Sequence, residues 1–275
     1  MPEATEKKLD PQKLGLWGRF LATPADDPVK TVIVAVTLCL FCSMIVSAAA
    51  VALKPIQEQN KVLDKKRNIL QVAGLFKEGV DVNEAFKAIE PRLVDIENGK
   101  FTAAADAATY DQRSAAKDPA RSIALVDDPA GIGRQAKLAS VYLIRNTAGA
   151  IEKIILPVHG YGLWSTLYGF VALKADGNEV AGFQFYEHAE TPGLGAEVDN
   201  PKWKALWPGK KIFGDDGDVK ISIAKGVPSA DMAAHHIDSL AGASLTSRGV
   251  DNLVRFWMGE QGFKRFLENL KAGTV

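Results

Sequence analysis

Four hydroxyl side chains, Ser239, Ser244, Thr246 and Ser247, fall within nine residues of "HHIDSLAGASLTSRGV", His235 to Val250. Asp238 leads them, and Ala241, Gly242 and Ala243 lie between. A helical pattern follows. Backbone N–H groups at a helix start point outward without partners, and the helix dipole favours an anion there. Small residues let a ligand approach the backbone closely. The cluster therefore suits a phosphate, and it equally suits a serine-rich N-cap. A serine nucleophile is the rival chemistry. "GAS" is a Gly-x-Ser, but Thr246 stands where a nucleophile elbow needs its second glycine. His159, His188, His235 and His236 are the available bases, and spacing singles out none of them.

Two further stretches carry free backbone donors. "PVHGYGLW", Pro157 to Trp164, sets two glycines around a tyrosine ahead of a tryptophan. "HAETPGLGAEV", His188 to Val198, sets Glu190 and Thr191 before Pro-Gly-Leu-Gly. Each offers N–H groups, a hydroxyl and apolar contacts, which suits a flat heteroaromatic ligand with polar edges. Turn chemistry explains any one such loop. It explains less well why three occur in one domain. "GDDGD", Gly214 to Asp218, lacks the spacing and the glutamate of a calcium loop. No histidine pair has metal-ligand spacing on a predicted helix, and no G-x-G-x-x-G marks a dinucleotide site.

The elements that must position these loops read as α+β. "SVYLIRNTAGAIEKIILPV" predicts two strands around an Asn-Thr-Ala-Gly turn, and "STLYGFVALKADGNEVAGFQFYEHAE" a hairpin turning at Asp176-Gly177-Asn178. "DVKISIAKG" predicts one more strand. "NPKWKALWPG" predicts a short helix whose Trp203 and Trp207 anchor the core. "GVDNLVRFWMGEQGFKRFLENL" predicts a closing helix interrupted near Gly259 to Gly262. "DVNEAFKAIEPRLVDI" predicts a short helix capped by Asp81 or Asn83 and ending before Pro91. The polar, alanine-rich run 98–132 reads as a long surface insertion.

One segment departs from the average composition. "TVIVAVTLCLFCSMIVSAAAVAL", Thr31 to Leu53, carries no charge. As a helix it spans about 34 Å, enough for a hydrocarbon core of roughly 30 Å. A polar lead of residues 1–30, with an interfacial helix at "LGLWGRFL", precedes it. That lead and the length of the apolar run favour a retained anchor over a cleaved signal. Ile56 to Phe76 continues as an amphipathic helix away from the span. The expected organisation is thus 1–30 cytoplasmic lead, 31–53 transmembrane helix, and 54–275 one extracytoplasmic domain. Lys54, Lys61, Lys65, Lys66 and Arg67 follow the span, so positive-inside counting would place the domain in the cytoplasm. Long domains translocate regardless of charge, and the orientation stays open at this level. Cys39 and Cys42, the only cysteines, lie in the apolar segment and read as two thiols on one helical turn. Net charge is zero, which gives no electrostatic case for nucleic acid.

Together the three loops resemble a known family. "DSLAGAS" is similar to the flavinylation motif Asp-x-x-(Ser/Thr)-Gly-Ala-Thr, whose last residue takes FMN through a phosphoester bond. "HGYGLW" and "ETPGLG" resemble the other two signatures of the same FMN-binding domain. The resemblance extends over the anchor and is strongest to the C subunits of sodium-translocating NADH:quinone oxidoreductases. The G subunits of Rnf complexes share the domain, and with a non-flavinylated anchored scaffold they form the alternative reading.

The resemblance implies a covalent FMN on Ser244, where the family usually has threonine; Ala241 replaces the usual Ser or Thr. It places Asp238, Gly242, Ala243, Leu245, Thr246 and Ser247 around the attachment. Thr246 and Ser247 would bond the phosphate. Gly160, Tyr161, Trp164, Glu190, Thr191, Gly193, Leu194 and Lys225 would lie near the flavin. It further implies an inner-membrane, single-pass protein with its bulk in the periplasm, and no resident metal. It would relay electrons toward ubiquinone in a six-subunit sodium pump. The partners would be the A, B, D, E and F subunits of that pump, together with a separate FAD-dependent flavin transferase.

Overall fold

The computed structural model describes residues 15–275, so residues 1–14 of the polar lead lie outside the described residues. Two compact units divide the chain, one ending at Lys61 and the other running Val62–Val275. In the first, α1 (Leu16–Ala22) forms where an interfacial helix is expected. Its Trp17 and Leu21 are exposed. Lys30 reaches back to the carbonyls of Leu21 and Thr23, while Asp27 accepts the Lys30 N–H at 2.8 Å.

α2 (Pro28–Val72) contains the expected span and is long and apolar enough to cross a membrane, with no buried residue in its apolar window. The separate helix expected from Ile56 to Phe76 is the continuation of α2, which passes through Pro55 and ends at Val72. A proline forfeits one N–H bond. The good helix formers on both sides of Pro55 carry the helix past that loss.

In the second unit the strands make a six-stranded antiparallel sheet in the order β2-β1-β5-β6-β7-β8. The strands are β1 (Ile89–Asp95), β2 (Lys100–Thr102), β5 (Leu138–Arg145), β6 (Ile151–Tyr161), β7 (Thr166–Lys174) and β8 (Val180–Glu187). Both predicted hairpins are present, β5 with β6 and β7 with β8. Alternation splits their side chains between two cores, because the sheet is covered on both faces. Val141, Leu143, Ile154, Leu156 and Val171 face the C-terminal helices; Tyr142, Ile144, Ile155, Phe170 and Ala172 face Ile69, Leu70 and Val72 at the end of α2.

The short helix α3 (Val82–Phe86) is capped by Asp81 and ends before Pro91, as expected. Pro91 itself sits inside strand β1. It is tolerated because β2 pairs only with Leu93–Asp95, so Pro91 has one strand neighbour and needs no second ladder bond. The run 98–132 is not a detached insertion. It supplies β2, α4 (Gln112–Lys117) and β3 (Ser122–Ala124), which pairs with β4 (Arg134–Ala136). Ala115 is fully buried, and Arg113 lies 3.4 Å over the Tyr168 ring while bonding Glu187. Alanine-rich composition hid a packed segment whose small side chains fit close under the sheet.

The rest of the unit frames the C-terminal motif. α5 (Pro201–Lys204) starts at its Asn200 cap, and Trp207 stacks on Phe183 with centroids 3.8 Å apart. The Trp203 indole donates to the Asp238 carbonyl at 2.8 Å. β9 (Ser222–Ala224) and β10 (His236–Asp238) form a short parallel pair, the one departure from the antiparallel pattern among the described residues. Ile223 N–H bonds the Asp251 carboxylate at 2.8 Å, joining β9 to α6 (Ser244–Met258). α7 (Lys264–Ala272) follows the expected break at Gly259 to Gly262.

Candidate functional site

Ser244 is the first residue of α6, a 15-residue helix. Gly242 turns the chain into it with φ +74, a conformation glycine adopts without steric cost. Ala243 holds the N-cap position, and no side chain caps the helix. The serine-rich cap suggested by composition is therefore absent. The first helical return bond is Ser247 N–H to the Ala243 carbonyl at 3.0 Å. The N–H groups of Ser244, Leu245 and Thr246 are left for another acceptor, and no acidic side chain lies in the first turn. Ser244 and Leu245 are exposed. An exposed hydroxyl beside open N–H groups at the positive end of a helix is a place for a phosphate.

The other two hydroxyls behave differently. Thr246 and Ser247 are 1% and 2% exposed. The Thr246 hydroxyl donates to Glu190 Oε2 at 2.8 Å. The Ser247 hydroxyl accepts the Leu240 N–H at 2.9 Å and donates to the Ala243 carbonyl at 3.0 Å. Both were expected to bond a phosphate; here both are engaged within the protein, and they hold the turn that presents Ser244.

Glu190 joins the three loops. Its Oε1 accepts the N–H groups of Leu163, Trp164 and Ser165 at 3.1, 3.0 and 3.2 Å. Its Oε2 accepts from Thr246. Burial would raise the pKa of this carboxyl, but the bonds from Trp164, Thr246, Leu163 and Ser165 outweigh it and hold the carboxyl below its usual range. Glycines make room for it. A Cβ at Gly162 would lie 2.6 Å from Oε1, and one at Gly195 would lie 2.7 Å from Oε2. Glu190, expected beside the flavin, is 4% exposed and faces inward. Its exposed sequence neighbours Thr191, Gly193 and Leu194 remain available.

α6 seats directly on the second loop. A Cβ at Gly249 would fall 2.5 Å from the Tyr161 carbonyl oxygen, and one at Gly160 would fall 2.5 Å from Leu253 Cβ. Gly160 is thus buried under the helix rather than open to a ligand. Leu194 Cδ2 approaches within 3.2 Å of where a Gly242 Cβ would be. The structure therefore brings "HGYGLW", "ETPGLG" and "DSLAGAS" together. Lys225 is exposed just after β9, next to Ala224, whose carbonyl accepts the Ser239 N–H and which pairs with Asp238. Asp238 is exposed and pairs with His236 at 3.1 Å.

Sequence reading missed Ala130 and Gly131. The Ala130 carbonyl accepts the Tyr161 N–H at 2.7 Å, and Gly131 abuts Tyr161 Cβ. The turn signal "DPAGIG" was the available clue. Arg248 was also passed over. It is exposed, four residues after Ser244 on α6, where i and i+4 share a face.

A hydrolase is not supported. No histidine bonds Ser244 among the described residues. His188 Nε2 lies 2.8 Å from Asp199, which raises its pKa, and His235 bonds the Lys211 carbonyl. His159 is pulled down to about 4 by burial, then by Arg113. It lies between Tyr168 and Trp257, with ring centroids 5.4 and 5.0 Å away.

A ligand meeting this site would find open helix N–H groups and a hydroxyl at one point. Apolar side chains stand around it, with Tyr161, Trp164, Leu194 and Leu245 exposed by 49, 66, 45 and 52%. A phosphate ester bearing a flat aromatic ring matches both parts, so the residues present fit FMN.

Known proteins agree. An FMN-binding domain family matches residues 162–259. The chain is 51% identical over 258 residues to the C subunit of the Na(+)-translocating NADH-quinone reductase of Pseudomonas aeruginosa, covering 91% of this chain and 98% of that one. It is 47% identical to the C subunit of the same reductase from Yersinia pestis, with 91% and 96% covered. Among solved structures, Shewanella oneidensis NqrC superposes with a TM-score of 0.72 at 35% identity, over 78% of this chain and 99% of that one. The C subunit of a Parabacteroides distasonis Na(+)-translocating NADH-quinone reductase gives 0.60 at 30% identity, over 78% and 96%.

Proposed function

Because the chain belongs to the family of C subunits of Na(+)-translocating NADH-quinone reductases, we propose that it is a membrane-anchored electron-transfer component of such a pump, carrying FMN as a phosphoester on Ser244. The single observation that carries the attachment is accessibility. Of the three hydroxyls at the start of α6, Ser244 alone is exposed, and those of Thr246 and Ser247 are buried and bonded.

The bound FMN supplies the electron chemistry; the side chains of this site have none of their own. The chain's part is to hold and orient. In attachment, the Ser244 oxygen displaces AMP from the FMN phosphorus of FAD. The new O–P bond replaces the pyrophosphate bond, and the hydroxyl proton leaves with the AMP side. A separate flavin transferase does this work, since no basic side chain bonds Ser244 among the described residues. The open N–H groups of Leu245 and Thr246 and the α6 dipole stabilise the phosphodiester charge. The exposed side chains of Trp164, Leu194, Leu245 and Tyr161 would shield the ring from water. α2 holds the domain at the inner membrane, with the residues after Leu53 in the periplasm. The A, B, D, E and F subunits of the pump are its partners, and its electrons pass toward quinone.

The test is intact mass and in-gel flavin fluorescence of the full chain made with its transferase. The parent and Ser244→Thr gain the mass of FMN less water. Ser244→Ala does not, and Thr246→Ala still does. An adduct on Ser244→Ala would place the acceptor elsewhere.

A further inference from the structure

Three successive N–H groups, those of Leu163, Trp164 and Ser165, converge on one oxygen of Glu190. Such a run of backbone donors forms an anion-binding nest, and here the protein fills it with its own carboxylate. The second oxygen takes the Thr246 hydroxyl, two residues along α6 from Ser244. No lysine or arginine pairs with this carboxylate among the described residues, and every hydrogen bond it accepts comes from a neutral donor. Bonds to an ionised acceptor are short, directional and about twice as strong as neutral ones. There is no slack around it, because a single methyl on Gly162 or Gly195 would collide with its oxygens.

We propose that Glu190 is a positioning residue for the Ser244 site. It fixes the distance between the Trp164 loop and the first turn of α6, so that the exposed Trp164 ring lies over the flavin carried by Ser244. The inference rests on the reading that Ser244 carries FMN. The root of the Trp164 side chain is one of the three fastened N–H groups, while its ring is 66% exposed. A tryptophan anchored at its backbone and free at its ring is a platform whose placement depends on the clasp. Glu190 itself faces inward and spends its oxygens on the two loops.

An indole in contact with a flavin quenches its emission by electron transfer, which gives a direct readout. Full chains with Trp164→Phe, Glu190→Ala, Glu190→Gln and Thr246→Val are made with the transferase and purified in detergent. Intact mass gives the adduct, and emission is measured per attached flavin. Trp164→Phe is expected to raise emission severalfold. Glu190→Ala is expected to recover most of that rise in the fraction of chains whose adduct peptide mapping places on Ser244. Glu190→Gln should stay close to the parent, because its amide oxygen can accept the three N–H groups and its NH2 can donate to Thr246. Should Glu190→Ala not fold, Thr246→Val, which removes one donor and keeps the nest, is expected to give an intermediate rise. Parent-level emission in Trp164→Phe, or in both Glu190→Ala and Thr246→Val, overturns the proposal, as does Glu190→Gln matching Glu190→Ala. No adduct on the parent itself overturns the attachment reading and this inference with it.

Discussion

Replacing Gly249 with alanine sets two effects of opposite sign against each other. Gly249 lies inside α6, where alanine is better than glycine by about 1 kcal/mol. Propensity alone therefore predicts a more stable protein. The added Cβ, however, would lie 2.5 Å from the Tyr161 carbonyl oxygen and 2.9 Å from Gly162 Cα. These are main-chain atoms and cannot rotate aside. Tyr161 is also pinned by its N–H bond to Ala130 and by pairing with Thr166. Overpacking costs about 1–3 kcal/mol, and a clash with fixed backbone belongs at the upper end. The net is destabilisation by about 2 kcal/mol. For a unit of this size each kcal/mol moves Tm by about 2–4 °C, so Gly249→Ala should melt about 4–8 °C lower. The assay is thermal unfolding of the detergent-solubilised full chain, followed by tryptophan emission. The exposed neighbour Arg248→Ala is the control and should stay within about 0.5 kcal/mol. A Tm for Gly249→Ala equal to or above the parent's would refute direct seating of α6 on the "HGYGLW" backbone.

Three further outcomes are expected. His159 should remain neutral as the pH drops well below 6.5, protonating only near about 4. A depressed value means that its contribution to stability is complete above 6.5 and lost as the pH falls toward the folded value. Imidazole NMR reads the titration, and Tm should fall less steeply over that window in His159→Gln; a midpoint near 6.5 sinks the claim. A fragment beginning near Lys54 should be soluble and monomeric without detergent, because the sheet's two faces are covered from within the second unit; sedimentation of aggregates would count against it. Reporter fusions after Leu53 and at the C-terminus should behave as periplasmic, and activity of a cytoplasm-only reporter at both points would reverse the orientation.

Much of the fold was legible because the two hairpins carry local signals, a turn between alternating or β-branched runs. β1 was not, because Pro91 reads as a breaker, and only the three-dimensional fact that its flank lacks a second strand makes it harmless. The run 98–132 was opaque for a related reason. Its buried Ala115 packs among strands that follow it, and its Arg113 reaches Tyr168 and Glu187 more than fifty residues away, which no local period reports. At the site, motif order picked out the three loops that the fold brings together, and it pointed to Ser244 among them. It could not separate side chains that face a ligand from those that build the loop. Glu190, Thr246 and Gly160 share motifs with exposed residues, yet they point inward. Residue type alone gives no sign of that, since a glutamate or threonine serves either purpose.

The burial of Thr246 has a consequence for the fidelity of modification. A transferase acting on a short segment with hydroxyls at positions 244, 246 and 247 would face three chemically similar nucleophiles if the segment were unfolded. The folded chain withholds two of them, so acceptor choice follows from which oxygen is free rather than from fine recognition of sequence. The safeguard is conditional on Glu190, because it is the partner that keeps the Thr246 hydroxyl occupied. A lesion that opens that bond would release a second acceptor two residues from the first, and peptide mapping should then find mixed products.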